Sequence, residues 1–123
     1  MKISVVIPYY QEQPGILVRA LQSLYGQEID GATLLDVIIV NDASPVDPAI
    51  DVQAAGAPPA NVDVRIIARA NGGPAAARNT GFDAVPADAD YVAMLDSDDT
   101  WTANHIARGI EGFACAGADL YFS

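Results

Sequence analysis

Tyr91-Val92-Ala93-Met94-Leu95 runs straight into Asp96-Ser97-Asp98-Asp99. The five apolar residues predict a buried strand, and the carboxylates then sit at its carboxyl end. In an open parallel sheet, ligands bind in the crevice outside the carboxyl ends of the strands. Three carboxylates crowded there repel one another unless a cation or a hydrogen-bonded ligand stabilises them. Carboxylate oxygens suit hard cations such as magnesium or manganese, which also coordinate phosphate oxygens. The stretch therefore predicts metal-dependent handling of a phosphorylated substrate. A helix cap is the plainer explanation, since Asp99 or Thr100 could start a helix near Ala103. One carboxylate would serve for that, and three in four residues exceed the need.

Working outward, other apolar runs alternate with helical patterns. Ile3–Ile7 is β-branched, stopped by Pro8 and read as a buried strand, Val37–Val40 is a second buried strand, and Val62–Ala68 reads simply as a third strand. Pro14–Tyr25 has a helical pattern with Leu17, Leu21 and Leu24 on one face. Val46–Ala55 predicts a short helix, Ala75–Phe82 a helix with Pro74 in its first position, and Ala103–Ala116 a last helix. Asp119–Phe122 predicts a further strand. The alternation implies an α/β fold of three layers, α/β/α, with a mainly parallel, Rossmann-like sheet.

The chain has 123 residues, 51% of them hydrophobic, and this predicts a single folded domain rather than a disordered segment. Its formal net charge is -10 with six Lys and Arg in total, which excludes a basic footprint for nucleic acid or an anionic membrane surface. Phosphate binding must then rest on a metal, backbone N–H groups and one or two arginines. The single cysteine, Cys115, cannot form an internal disulfide and reads as core packing beside Phe113; a reducing, cytoplasmic compartment is the default expectation. No stretch has the length of a transmembrane helix, so no membrane insertion is expected from this segment.

Four polar clusters follow the first four predicted strands: Pro8-Tyr9-Tyr10-Gln11-Glu12, Asn41-Asp42-Ala43-Ser44, Asn71 to Gly81, and the acidic run. A parallel sheet brings all of these to one edge, and the coincidence says more than any one cluster. Asp42 is either the cap of an Asx turn or an acceptor for a ribose hydroxyl or base N–H. Tyr9 and Tyr10 are core aromatics or a stacking surface for a base. In Asn71-Gly72-Gly73-Pro74-Ala75-Ala76-Ala77-Arg78-Asn79-Thr80-Gly81 the glycines let backbone approach a ligand, and the alanines allow tight helix packing. Arg78 suits phosphate or a salt bridge to the acidic run. The sole histidine, His105, reads as a packed or solvated side chain, and Trp101 as a pocket wall or as packing under the loop.

In this order the clusters resemble the family-2 glycosyltransferases, whose fold is the A-type nucleotide-sugar-binding fold. Ile3 to Tyr10 is similar to that family's first strand with its Pro-x-Tyr ending. Val40-Asn41-Asp42-Ala43-Ser44 resembles its Val-Asp-Asp-Gly-Ser segment, Asn71–Gly81 its Asn-x-Gly-x-x-x-Ala-Arg-Asn-x-Gly segment, and Leu95–Asp99 with Trp101 its Asp-x-Asp motif. The resemblance covers essentially the whole chain. It implies a nucleoside diphosphate sugar donor, a UDP-sugar in the first instance, with Mn2+ or Mg2+ as cofactor. It places Pro8, Tyr10, Glu12, Asp42, Gly73, Arg78, Asn79, Asp96 and Ser97 at the donor, and Asp96, Asp98 and Asp99 at the metal. The chain departs from the pattern at Gln11, where Asn is frequent, and at Asn41, Ala43 and Ala103, which replace Asp, Gly and Pro. The first two bear on donor choice, the last on the helix start.

The family carries its acceptor site and general-base carboxylate further along the chain. The general base is therefore expected beyond Ser123, and residues 1–123 are expected to be the donor-binding part of a truncated domain. No catalytic base is named within them, the acceptor (glycan, lipid or protein) stays open, and binding without robust transfer is expected. An edge on which further strands would pack predicts self-association. Two other functions fit parts of the pattern. Asp96-Ser97-Asp98-Asp99-Thr100 also fits the Asp-x-Asp-x-Thr motif of haloacid-dehalogenase-like phosphatases, but these need a later lysine, and no lysine follows Lys2. A non-catalytic nucleotide-sugar-binding module is the third.

Overall fold

The computed structural model describes residues 1–116 and 121–122, with side chains described through residue 110. The chain runs β1 (Lys2–Tyr9), α1 (Ile16–Tyr25), β2 (Leu34–Asn41), α2 (Pro48–Ala54), β3 (Val62–Ala68), α3 (Pro74–Asp83), β4 (Tyr91–Met94), α4 (His105–Ala116) and β5 (Tyr121–Phe122). The sheet order is β3-β2-β1-β4-β5, and every pairing is parallel. β1 lies at the centre, in register with β2 from Lys2↔Leu34 to Tyr9↔Asn41 and with β4 from Ile3↔Tyr91 to Val6↔Met94.

Continuous apolar runs form β1 and β2 because both faces of these strands are covered. Ile3, Val5, Ile7 and Tyr9 face a layer holding Leu17, Ala20, Leu21 and Leu24 of α1 and Ile106 of α4. The alternate residue Val6 faces the opposite layer with Ile38, Val40, Met94 and Ala77 of α3. Full burial of each valine, leucine or isoleucine among them contributes roughly 1.5–3 kcal/mol. α1 and α3 thus lie on opposite faces, which is the three-layer arrangement expected. The chain steps outward from β1 to β2 to β3, then returns across the sheet to β4. The order reverses between β1 and β4, and at such a switch point the loops part and leave a crevice above the carboxyl ends.

Three helix starts fall two residues later than the sequence pattern: α2 opens at Pro48 rather than Val46, because the Asp47 side chain caps it by accepting from the Ala49 N–H (3.0 Å). α1 begins at Ile16, not Pro14, because Gly15 takes a left-handed conformation (φ 96°) that ends the preceding turn. Its orphan N–H groups are met from outside the helix: Gly15 N and Leu17 N donate to the two oxygens of Asp51 on α2, at 2.8 and 3.0 Å. α4 begins at His105, not Ala103. Its Ile106 N donates to Oε1 of the buried Gln27 (3.0 Å), whose Nε2 in turn donates to the Thr102 carbonyl (2.7 Å). The acidic run is therefore not the cap of that helix. The packing expected of Phe113 and Cys115 lies outside the described side chains. Asp119 and Leu120 of the expected last strand lie outside the described residues, as does Ser123, the position beyond which the general base is expected.

Candidate active site

A cavity of about 390 Å³ opens at the carboxyl edge, over the β1/β4 switch point. Its wall is built from all four strand-end loops: Pro8, Tyr10 and Gln11 after β1, Asp42 after β2, Asn71, Gly73 and Arg78 from the β3–α3 segment, and Asp96, Ser97 and Asp98 after β4. Parallel strands deliver these distant stretches to one place because each exits the sheet at the same edge.

The acidic turn is set by the Asp99 N–H donating to the Asp96 carbonyl (3.0 Å). That turn puts the Asp96 and Asp98 side chains on the cavity wall and carries Asp99 off it, where its Oδ1 accepts from the Thr100 N–H (2.9 Å). The expected crowding of three carboxylates is thus reduced to two at the cavity. Among the described residues, no group of three His, Cys, Asp or Glu side chains converges as a metal cage. Neither Asp96 nor Asp98, both of which line the cavity, has a side-chain hydrogen bond or ion pair among the described residues, so their carboxylates are uncommitted.

Arg78 lines the same cavity, and its guanidinium likewise has no hydrogen bond or ion pair among the described residues. The salt bridge to the acidic run is not formed. A guanidinium left unpaired in a chain of net charge -10 is a cation available to an anionic ligand. Asn79, its neighbour on α3, is exposed and does not line the cavity, because successive residues on a helix diverge by about 100°. Glu12 also lies outside it, in a second depression of about 380 Å³ with Tyr10, Gln11, Gln13 and Ile16. Tyr10 borders both spaces with its ring half exposed (49%), whereas Tyr9 is fully buried.

Asp42 has a more demanding environment than the sequence suggests. It is 3% exposed, and its Oδ1 accepts from Gly72 N (3.0 Å) and meets Arg69 Nε at 3.2 Å. Its Oδ2 accepts from Gly73 N (3.0 Å) and Asn71 Nδ2 (3.4 Å). An ionised carboxylate has about four acceptor positions, and all are engaged in holding the glycine loop. A ribose hydroxyl or base N–H would have to displace one of them. Arg69 completes the arrangement by donating through Nη1 to the Ala76 carbonyl (2.7 Å) and Thr80 Oγ1 (2.6 Å) of α3. Sequence reading passed over Arg69, although its place directly after β3 and two residues before Asn71-Gly72 was a usable signal.

The glycines and the departures have physical readings. Gly73 (φ 90°) precedes Pro74 at the start of α3, and a side chain at Gly81 would run into Val6 on the sheet. Ala43, where the resemblance implied glycine, holds φ 55°, a left-handed conformation that alanine adopts only at a cost. Trp101 does not line the cavity; it stacks on His105 with ring centroids 4.3 Å apart, so both belong to the packing beneath the loop.

A family model described as Glycosyl transferase family 2 matches residues 4–122, which takes in every one of these clusters. The chain belongs to glycosyl transferase family 2. Among its relatives, the succinoglycan biosynthesis protein ExoW of Rhizobium meliloti (strain 1021) is 44% identical over 99% of this chain and 37% of its own length. The minor teichoic acid biosynthesis protein GgaA of Bacillus subtilis (strain 168) is 31% identical over 91% of this chain and 24% of its own. The same fold is seen in the crystal structure of S. aureus TarS 1-349, with a TM-score of 0.78 and 22% identity over 97% of this chain and 34% of that one. A complex of the same TarS fragment with UDP-GlcNAc has a TM-score of 0.75 at 24% identity, over 97% of this chain and 33% of that one. This family-2 chain spans between 24% and 37% of the length of these relatives and structures.

Proposed function

We propose that this chain is the donor-binding part of a glycosyltransferase that takes a nucleoside diphosphate sugar, of the uridine type, with a manganese or magnesium ion. The observation that carries the reading is the cavity itself. Two uncommitted carboxylates, Asp96 and Asp98, and one uncommitted guanidinium, Arg78, line the same space at the switch point of a parallel sheet. Opposite charges kept apart on one wall suit a ligand that bears both a cation and phosphates. The residues fit such an ion: magnesium-type cations take one or two protein carboxylates and complete their octahedron with substrate phosphate oxygens and water. Two carboxylates at the wall agree with that better than a closed protein cage would.

In this reading Asp98 and Asp96 hold the ion, and Arg78 faces the diphosphate. The half-exposed Tyr10 ring stacks on the base beside Pro8, and Gly73 presents backbone without a side chain in the way. Asp42 acts mainly by holding the glycine loop in place. When bound, the ion neutralises charge that develops on the leaving nucleoside diphosphate. The deprotonating carboxylate, expected beyond Ser123, and the acceptor site belong to the rest of a longer protein, and transfer with inversion is proposed for the whole. Support for uridine comes from the TarS complexes with UDP and with UDP-GlcNAc, and support for a polysaccharide-type acceptor comes from the names of ExoW and GgaA. The single cysteine supports a cytoplasmic setting. Among the described residues, no helix is long and apolar enough to cross a membrane.

Calorimetric titration of UDP in manganese, then in EDTA, tests this. Binding should require the metal and be lost in Asp98→Ala. Equal affinity in EDTA would overturn the metal role, and GDP or dTDP binding as tightly as UDP would overturn the base assignment.

A further inference from the structure

We infer that Gln11 is a positioning residue that sets the acidic turn through a polar strap running across the carboxyl ends of β2, β1 and β4. The strap is continuous. Asn41 Oδ1, at the end of β2, accepts from the Ser44 N–H (2.9 Å). Ser44 Oγ accepts from the Gln11 N–H (2.9 Å) and donates to the Gln11 carbonyl (3.0 Å), so Gln11 is gripped at both backbone groups. Val46 N also donates to that carbonyl (3.2 Å). From this fixed backbone the Gln11 side chain crosses the switch point, and its Nε2 donates to Ser97 Oγ (2.9 Å).

Ser97 is 6% exposed and stands between the two carboxylates that line the cavity. A hydrogen bond to it therefore fixes the turn that aims both Asp96 and Asp98. The crevice at a switch point is where adjacent strand ends part, so a bond spanning it is the direct way to hold the two sides in register. The strap also gives one explanation for two departures from the family pattern. Asn41 and Gln11 are both members of it: asparagine supplies the acceptor for Ser44 without another negative charge beside Asp42, and Gln11 supplies a side chain one methylene longer than asparagine to reach across the switch point. Outer partners of metal-binding side chains characteristically alter affinity by tenfold or more when removed, without being ligands themselves.

This inference rests on the proposed donor site for its functional consequence, but the strap itself is testable in the free protein. The experiment compares the intact sequence with Gln11→Ala, Ser97→Ala and the double variant, by two readouts. Hydrogen exchange of the Asp99 amide, which closes the acidic turn, should accelerate about tenfold in each single variant and no further in the double. UDP titration in manganese should show about a tenfold loss for each single variant, again with no added loss in the double. Unchanged exchange in Gln11→Ala, or losses that multiply in the double variant, would overturn the strap. A protein that fails to bind UDP at all, yet shows the shared exchange effect, supports the strap while refuting the donor reading. Normal UDP binding in the intact sequence with unchanged exchange in Gln11→Ala does the reverse.

Discussion

Replacing Gly81 by alanine is the most direct test of how α3 holds its cationic side chain over the cavity. A β-carbon built at Gly81 falls 2.3 Å from Val6 Cγ1, 3.3 Å from Val6 Cβ and 3.2 Å from Val40 Cγ2. Carbon atoms in contact prefer roughly 3.5–4.0 Å, so a gap of more than about 1 Å must open. Val6 and Val40 are both fully buried on central strands and cannot swing into solvent. The helix must lift or a valine must take a poorer rotamer, and overpacking of this kind costs about 1–3 kcal/mol. Alanine recovers about 0.8–1.0 kcal/mol of helix propensity at the same site. The net on central values is a loss of about 1 kcal/mol, which lowers the melting temperature by roughly 3–5 °C in a domain of this size. Thermal unfolding followed by circular dichroism reads this. Because Arg78 lies one turn earlier on the same helix, UDP affinity should fall together with stability. The decisive control is the Val6→Ala background, which removes the Cγ1 atom at 2.3 Å and leaves only the milder contacts at 3.2 and 3.3 Å, so most of the loss caused by Gly81→Ala should there disappear. A rise in melting temperature in the unaltered background, or an equal loss in the two backgrounds, would refute the packing argument.

Ala43→Gly should stabilise the protein by about 0.5–1 kcal/mol, since a left-handed alanine costs about 1–2 kcal/mol and the added freedom of glycine in the unfolded chain offsets about half of that. The urea midpoint should rise with an unchanged slope, and a lower midpoint would show that the alanine methyl is needed. Tyr9→Phe should be neutral or stabilising at pH 7, because the buried Tyr9 hydroxyl has no hydrogen-bond partner among the described residues. Burial first, then the nearby Asp51 and Asp47 charges, push its pKa up to about 12 from 10.0. The folded state then keeps a proton that the unfolded state gives up. Stability from this group is therefore complete below pH 10, falls as pH rises toward 12, and falls less steeply in the phenylalanine variant; equal alkaline slopes would contradict the assignment.

The parts of this molecule that were legible in its sequence are those in which position along the chain fixes position in space. A strand read from Ile3–Ile7 or Val62–Ala68 says which end the next residue leaves by, so Tyr10, Asp42, Arg78, Asp96 and Asp98 could be assigned to one edge from the chain alone. What could not be read is which polar groups meet once they arrive there. Asp51 meets the start of α1 across 34 and 36 residues, and Gln11 meets Ser97 across 86. No periodicity connects such partners; they depend on the strand order and on loop shape. The same gap explains the carboxylates. Asp96, Asp98 and Asp99 are equivalent in composition, yet one turn hydrogen bond directs two into the cavity and the third to its own neighbour. It also changes the meaning of Asp42, which a motif presents as a free acceptor and the fold fully engages with Arg69, Asn71, Gly72 and Gly73. A motif therefore predicts that a residue is at the site. Whether it faces the ligand or holds the residues that do is decided by partners that the motif does not contain.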